Sequence, residues 1–203
     1  MSDIETIMRT SPVIPVLVVD DVSEARPLAQ ALVDGGLRVI EVTLRTPVAL
    51  DAIRRMKLVP GAIVGAGTVT NKDELEAAMA AGAEFIVAPG LTEPLAKAAA
   101  RVGVPFLPGI STAGDIMRGM DLGLRHFKFF PAEASGGIAA LKSLIGPFGR
   151  ARFCPTGGIT LANAAEWLAV PEVLCVGGSW IAPRGATPEA ITALAREAAA
   201  LAK

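Results

Sequence analysis

The chain has 203 residues, of which 52% are apolar and only 19% are charged, and its formal net charge at pH 7 is -1. This length suits one large domain, and we expect a single domain over residues 1-203. No run of Lys or Arg forms a basic stripe, which argues against nucleic acid and against an anionic membrane as partners. The low charged fraction favours burial of surface in an oligomer. A small molecule is therefore the expected partner.

Hydropathy and the few Cys and His residues exclude further classes. No apolar stretch reaches the roughly 18 to 20 residues of a membrane span, and the start of the chain is too polar for a signal peptide, so we expect a cytoplasmic protein. Cys154 and Cys175 fall in predicted strands and are interpreted as buried thiols rather than a disulfide. With His126 as the single histidine and no HxH or CxxC spacing, we expect no protein-built metal site and no cofactor.

Short β-branched runs alternate with alanine-rich segments of helical period, and Gly, Pro or a capping residue separates them. A leading helix is expected at Asp3–Thr10. The predicted strands are Val13–Val19, Arg38–Thr43, Ile63–Ala66, Phe85–Ala88, Val104–Leu107, His126–Phe130, Arg152–Pro155 and Val173–Gly177. The predicted helices are Val22–Asp34, Pro47–Met56, Lys72–Ala81, Glu93–Arg101, Ala113–Leu122, Gly137–Ile145, Leu161–Leu168 and Pro188–Leu201.

Eight βα units favour an α/β fold of the closed (β/α)8 TIM barrel type, with the short N-terminal helix across its bottom. A doubly wound open sheet has the same local pattern and remains an alternative. In a barrel, the chemistry lies at the carboxyl ends of the strands, and phosphate is commonly held by the loops after the seventh and eighth strands. We therefore expect the functional site at that end.

Glycine pairs occur in both of those loops. One pair follows the seventh strand at residues 157–158, and the other follows the eighth at residues 177–178. Small residues let backbone amides approach an anion, the start of a short helix adds a positive dipole end, and the hydroxyls of Thr156 and Ser179 are further donors. Either pair alone would be interpreted as a tight turn. Two pairs in adjacent loops indicate a phosphate site, provided that the fold is a barrel.

Two isolated charges stand in otherwise apolar strands. Lys128 lies in the run HFKFF, and Glu41 lies in the run RVIEVT. Side chains alternate along a strand and alternate strands share interior layers, so these two charges are expected to meet across the bore. Arg45 and Thr68 fall on the same rim. A structural ion pair is the simpler interpretation of the two charges, but an arginine and a phosphate loop at the same mouth favour catalysis.

An amine removed from water suggests a specific reaction. The amine of Lys128 can add to a ketone and form a Schiff base. Once protonated, the iminium withdraws electrons from the adjacent carbon, so a carbon–carbon bond β to the original carbonyl can break or form, with Glu41 moving the protons. Two other hypotheses use the same pocket. One is a phosphate-binding isomerase or epimerase in which Lys128 only supplies charge, and the other is a non-catalytic phosphosugar sensor or scaffold.

Seven sequence blocks carry a resemblance to a known family. They are IEVTLRT at 40–46, GAGTV at 65–69, PGLTEP at 89–94, PGIST at 108–112, FKFFPAE at 127–133, PTGGI at 155–159 and GGSW at 177–180. In this order, and over nearly the whole chain, the blocks resemble the 2-keto-3-deoxy-6-phosphogluconate (KDPG) aldolase family.

The resemblance implies a class I, metal-independent aldolase that splits 2-dehydro-3-deoxy-6-phosphogluconate into pyruvate and glyceraldehyde 3-phosphate, and that often also cleaves 4-hydroxy-2-oxoglutarate. Lys128 matches the family's Schiff-base lysine, and Glu41 matches its general acid and base. The residues that match substrate-binding positions are Arg45 and Thr68 at the pyruvyl carboxylate, Pro89 in the same pocket, and Thr156, Gly157, Gly158, Gly178 and Ser179 at the phosphate end. A homotrimer is also implied. Val18 stands where some relatives carry an arginine, which leaves the preferred sugar acid open.

Overall fold

Strands and helices alternate throughout the protein, whose structure is a computed structural model that describes residues 3–201. The helices are α1 (Ile4–Thr10), α2 (Val22–Asp34), α3 (Ala49–Met56), α4 (Lys72–Ala81), α5 (Glu93–Val102), α6 (Ala113–Asp121), α7 (Gly137–Ile145), α8 (Leu161–Leu168) and α9 (Pro188–Ala199), with a 3-10 helix at Gly146–Phe148. The strands are β1 (Val13–Leu17), β2 (Val39–Thr43), β3 (Ile63–Gly67), β4 (Ile86–Val87), β5 (Phe106–Leu107), β6 (Gly109–Ile110), β7 (His126–Phe129), β8 (Arg152–Pro155) and β9 (Val176–Gly178). Within this part of the chain, no helix is long and apolar enough to cross a membrane.

The strands close into a barrel. Two parallel sheets run in the orders β5-β4-β3-β2-β1-β9 and β6-β7-β8. On one side they join through the chain itself, because only Pro108 separates β5 from β6. On the other side, bridges from Phe153 to Val173 and from Thr156 to Gly177 connect β8 to β9. The (β/α)8 barrel predicted from the sequence is therefore confirmed, and the open sheet is not observed.

Two strands depart most from their predicted bounds, whereas the others agree to within two residues at each end. The fifth strand is shifted and broken at Pro108, which has no N–H for the strand ladder, although its carbonyl still accepts from the Lys128 amide at 2.8 Å. The eighth strand begins at Val176, and Val173 contributes only an isolated bridge. Neither difference changes the order of the barrel strands.

Apolar side chains form two layers, one inside the barrel and one between the strands and the helices. On β2, Val39 belongs to the inner layer and Ile40 to the outer one, as the alternation of side chains along a strand requires. Ile7 and Met8 of α1 pack into the inner layer together with Phe85, so α1 closes the bottom of the bore. The lower half of the bore is therefore filled with apolar side chains, and polar groups are expected at the carboxyl ends of the strands.

Helix caps explain why the helices start where they do. Asn71 accepts a hydrogen bond from the Glu74 amide at 2.9 Å, and Thr112 accepts from the Asp115 amide at 3.2 Å. Gly82 and Gly103 end α4 and α5 in the left-handed conformation, at φ of 94° and 70°. The chain therefore turns back sharply toward the next strand.

His126 lies at the bottom of the barrel, beside α1. Its Nε2 is 3.2 Å from Oε2 of Glu5 on α1. Burial lowers the pKa of His126 below its usual value, and the nearby charge of Glu5 opposes this shift. His126 is thus a contact between α1 and β7, remote from the mouth.

Phe85→Ala tests the packing of the inner layer. The Phe85 ring is fully buried and lies directly over Gly65, which has no side chain with which to refill the space. We expect the free energy of unfolding, measured by urea titration, to fall by about 3–5 kcal/mol. The control Met117→Ala alters a side chain that is 57% exposed and should change it by less than about 0.5 kcal/mol. Similar losses in the two variants would contradict this description of the core.

Candidate active site

Lys128 and Glu41 meet inside the upper part of the barrel. Lys128 Nζ donates to Glu41 Oε1 at 3.2 Å, and the two residues are only 6% and 3% exposed. The ammonium also lies 5.2 Å from the centroid of the Phe130 ring. The contact across the bore that strand alternation predicted is therefore observed.

The strand β7 turns Lys128 inward because its neighbours are anchored outside. Phe127 and Phe129 are fully buried in the outer layer, with ring centroids 6.3 Å from Phe153 and 6.2 Å from Trp167 respectively. Alternation along the strand then leaves Lys128 no orientation except toward the bore. The register pairs it with Gly109 on one side and Cys154 on the other.

Gly67, at the end of β3, makes room for the Glu41 carboxylate. A methyl group built at Gly67 would overlap the carboxylate carbon and Oε1 of Glu41. Glu41 pairs with Gly65 in the ladder, so Gly67 lies one inward position further along β3. Sequence reasoning did not assign Gly67 a role, although the GAGTV block contained the signal.

Thr68 has an unusual backbone for a β-branched residue. Its φ is +60°, and it is the one residue other than glycine with a positive φ among residues 3–201. Such strain is uncommon and collects at functional sites, where the surrounding structure maintains it. Thr68 lies directly after β3, beside Gly67, on the rim where the sequence placed it.

Arg45 presents a cation at the same rim. The backbone on either side is held in place, since the Leu44 amide donates to the Gly67 carbonyl at 2.8 Å and the Thr46 hydroxyl donates to the Val19 carbonyl at 2.6 Å. Arg45 itself is exposed and forms no ion pair with any residue from 3 to 201. Its guanidinium is thus available to a carboxylate.

Pro89 lies near the site through its backbone. It follows β4 and is exposed, and its carbonyl packs so closely on Gly109 that a side chain there would collide with it. Gly109 in turn pairs with Lys128. Pro89 therefore lies at the mouth, where its carbonyl contacts the residue that pairs with Lys128.

The two glycine loops lie side by side at the ends of β8 and β9. Gly157 and Gly158 are both left-handed, at φ of 101° and 80°, and the bridge between Thr156 and Gly177 joins the loops. Within the described chain, the amides of Gly158 and Ser179 donate no hydrogen bond. Backbone N–H groups gathered in this way are suited to an anion.

The other two residues expected at the phosphate end are buried. Thr156 is 6% exposed, and its hydroxyl lies 3.4 Å from the Cys154 carbonyl. Gly178 lies under the ring of Trp180, so that a side chain at this position would overlap the ring. Both contribute to the shape of the loops, whereas Ser179 is exposed.

A helix start accompanies only the first glycine loop. The helix α8 begins at Leu161, shortly after Gly158, and its amino end is closed by Asn163, whose Oδ1 accepts from the Thr160 amide at 2.8 Å. Between β9 and α9 the described chain forms turns, which Pro183 and the left-handed Gly185 interrupt. The short helix expected at this end is therefore present after β8 and absent after β9.

A cavity of about 460 Å³ lies beside the second loop, between the segments that follow β1 and β9. Val18 lines it, and an ion pair of 3.1 Å between Arg184 and Asp20 joins the two segments. Neither Lys128 nor Glu41 lines this cavity, so the cavity is adjacent to the mouth and does not contain the buried pair. No cluster of three or more His, Cys, Asp or Glu able to hold a metal occurs in residues 3–201.

Comparison with known proteins settles the family. The family model of KDPG and KHG aldolase matches residues 4–194. The chain belongs to the KDPG and KHG aldolase family. This aldolase chain is 56% identical to the KHG/KDPG aldolase of Escherichia coli K12 over 199 residues, covering 96% of this chain and 93% of that protein.

Two solved structures of aldolases have nearly the same fold. The 2-keto-3-deoxy-6-phosphogluconate aldolase of Zymomonas mobilis ZM4, with 3-phosphoglycerate, matches with a TM-score of 0.98 at 56% identity, covering 99% of this chain and 97% of that one. The KDPG aldolase of Legionella pneumophila matches with a TM-score of 0.95 at 43% identity, covering 98% and 99% of the two chains. That protein holds pyruvate captured as a covalent carbinolamine intermediate. The resemblance found in the sequence is confirmed.

The buried pair of this aldolase can be tested through stability. Lys128→Met leaves the Glu41 carboxylate buried without its cation, so the free energy of unfolding should fall by about 3 kcal/mol. Adding Glu41→Gln removes the unpaired charge and should restore at least about 1 kcal/mol. Urea unfolding of the wild type, both single variants and the double variant measures this. A double variant less stable than Lys128→Met alone would contradict the description of the pair.

Proposed function

We propose that this chain is a class I aldolase, a lyase that cleaves 2-dehydro-3-deoxy-6-phosphogluconate to pyruvate and glyceraldehyde 3-phosphate through a Schiff base on Lys128. We extend the proposal to 4-hydroxy-2-oxoglutarate, which gives pyruvate and glyoxylate. The observation that carries it is the 3.2 Å contact between Lys128 and Glu41 inside the barrel of a KDPG and KHG aldolase family member.

Formation of the Schiff base starts with removal of a proton from Lys128. The Glu41 carboxylate accepts the hydrogen bond from Nζ, so it is placed to take this proton and leave a neutral amine. The amine adds to the C2 ketone to give a carbinolamine. Glu41 returns its proton to the carbinolamine hydroxyl, which leaves as water, so that the iminium forms and Glu41 is again a carboxylate. Burial of both groups excludes the bulk water that would compete for them.

Cleavage of the carbon–carbon bond follows from the iminium. Glu41 takes the proton of the C4 hydroxyl while the C3–C4 bond breaks, so that the bonding electrons move to C3 and the aldehyde departs. The resulting enamine regains a proton at C3 from Glu41, and water then hydrolyses the iminium to pyruvate and free amine. One carboxylate thus serves as base and then as acid, and atoms and charge balance without a cofactor.

The two anionic ends of the substrate suit the two sides of the mouth. Arg45 and Thr68, with Pro89 beside them, would hold the carboxylate next to the ketone. The phosphate end would be held by the glycine loops, at Thr156, Gly157, Gly158, Gly178 and Ser179. Support comes from the unpaired guanidinium of Arg45 on the first side and from the unused amides of Gly158 and Ser179 on the second.

The chain is further proposed to act as a single domain that assembles into a homotrimer in the cytoplasm. The low charged fraction of 19% supports burial of part of its surface. Light scattering should give three times the 20.8 kDa mass of one chain. A mass of 20.8 kDa at micromolar concentration would contradict the trimer.

Borohydride trapping tests the lysine directly. Wild-type protein reduced in the presence of pyruvate should carry one stable adduct, located at Lys128 by mass spectrometry. Lys128→Met should carry none, whereas the control Lys142→Met, which alters an exposed lysine on α7, should be labelled like the wild type. Glu41→Gln should still form some adduct but turn over about 100-fold or more slowly, since it has lost the proton-transfer group. An adduct on another lysine, or inhibition by EDTA that a divalent metal reverses, would contradict the mechanism.

A further inference from the structure

Glu133 joins the strand of the lysine to the first glycine loop. It lies five residues after Lys128, in the turn between β7 and α7. Its Oε1 accepts two hydrogen bonds from α8, one from Trp167 Nε1 at 2.9 Å and one from Asn163 Nδ2 at 3.2 Å. A carboxylate satisfied by two donors on one helix holds that helix at a fixed distance from the β7 turn.

Asn163 passes this restraint to the glycine loop. The same Nδ2 that donates to Glu133 also donates to the Gly158 carbonyl at 3.1 Å. On its other side, Oδ1 accepts from the Thr160 amide at 2.8 Å. The segment from Gly158 to Thr160 is thus tied at both ends to one side chain, whose orientation depends on Glu133.

Glu133 also touches the loop directly. Its Cβ and Cγ lie where a side chain of Gly158 would be, and its amide donates to the Gly157 carbonyl at 3.1 Å. The neighbouring Ala132 amide donates to the Thr156 carbonyl at 2.8 Å. The carbonyls of Thr156 and Gly157 are therefore occupied by the β7 turn, while the Gly158 amide stays unused.

Trp167 adds a reason why the carboxylate must be present. Its side chain is fully buried, and Glu133 is the one hydrogen-bond partner of its Nε1 among residues 3–201. Loss of the acceptor would leave a buried donor unsatisfied. The Trp167 ring also packs on Phe129, the residue after Lys128, so the same tryptophan contacts both the lysine strand and the Glu133 network.

We propose that Glu133 is a positioning residue that, through Asn163 and Trp167, sets the glycine loop for the phosphate of the substrate and so favours phosphorylated over unphosphorylated substrates. The inference rests on the proposed function. Glu133 does not itself bind the phosphate, because its carboxylate and the phosphate are both anions and repel each other. Its Oε1 is also already occupied by two hydrogen-bond donors. Among residues 3–201, neither Lys128 nor Glu41 forms a hydrogen bond with Glu133, Asn163 or Trp167.

The test uses the condensation reaction with two acceptors that differ only in the phosphate. Pyruvate is combined with either glyceraldehyde 3-phosphate or glyceraldehyde, and KM and kcat are measured for each acceptor. Glu133→Ala should raise the KM for glyceraldehyde 3-phosphate about tenfold and change that for glyceraldehyde by less than about twofold. The amount of pyruvate trapped by borohydride should equal that of the wild type, which shows that the lysine end is intact.

Three further variants separate positioning from general destabilisation. Glu133→Gln keeps an oxygen acceptor and should retain the low KM for glyceraldehyde 3-phosphate. Asn163→Ala breaks the link to Gly158 without touching Trp167 and should reproduce the selective rise, even if Glu133→Ala folds poorly. Glu166→Ala removes an exposed carboxylate from the same helix and should leave both KM values unchanged.

Two outcomes would overturn the inference, and they differ from failure of the proposed function. If Glu133→Ala and Asn163→Ala shift both acceptors by the same factor, or shift neither, the network does not set the phosphate loop. If the wild type neither condenses pyruvate with either acceptor nor traps pyruvate, the aldolase function itself is wrong, and the inference falls with it.

Discussion

The structure depends on one buried ion pair, Lys128 with Glu41, held where water cannot solvate it. Removing two such groups from water costs several kcal/mol for each ion, and their attraction offsets this only when the geometry is held closely. The barrel supplies that geometry. Its strands place the two residues on facing sides of the bore, the outward phenylalanines around Lys128 fix its direction, and Gly67 leaves space for the carboxylate.

Much of this arrangement could be predicted from the sequence, because it follows from short-range rules. The alternation of side chains placed Lys128 and Glu41 on inner positions, and eight βα units implied the barrel that makes them face each other. Glycine pairs after the last two strands predicted a phosphate site, and the structure brings their two loops side by side. Caps such as Asn71 and Thr112 fixed helix starts because they act within three residues.

What could not be predicted depends on contacts between distant residues or on backbone detail. The left-handed Thr68 is strained by its surroundings, which no local preference for threonine would indicate. The fifth strand breaks at Pro108 because proline has no N–H to donate to a neighbouring parallel strand. This effect depends on strand pairing, which the local sequence does not show. Glu133 meets Asn163 and Trp167 across 30 and 34 residues of sequence, so its role is visible only after folding.

The division of the mouth into two ends favours the proposed catalytic role of the buried pair over a purely structural one. A pair that served stability alone would gain nothing from an unpaired arginine on one side and unused amides on the other, since hydrophobic side chains of similar volume stabilise a core as well or better. Here both features lie at the mouth that holds the pair, in a chain of the KDPG and KHG aldolase family. The isomerase and scaffold hypotheses would use the anion loops but would not require an amine buried against a carboxylate. Glu133 strengthens the same conclusion, because it connects the lysine strand to the loop that an anionic substrate would need at a fixed distance from the amine.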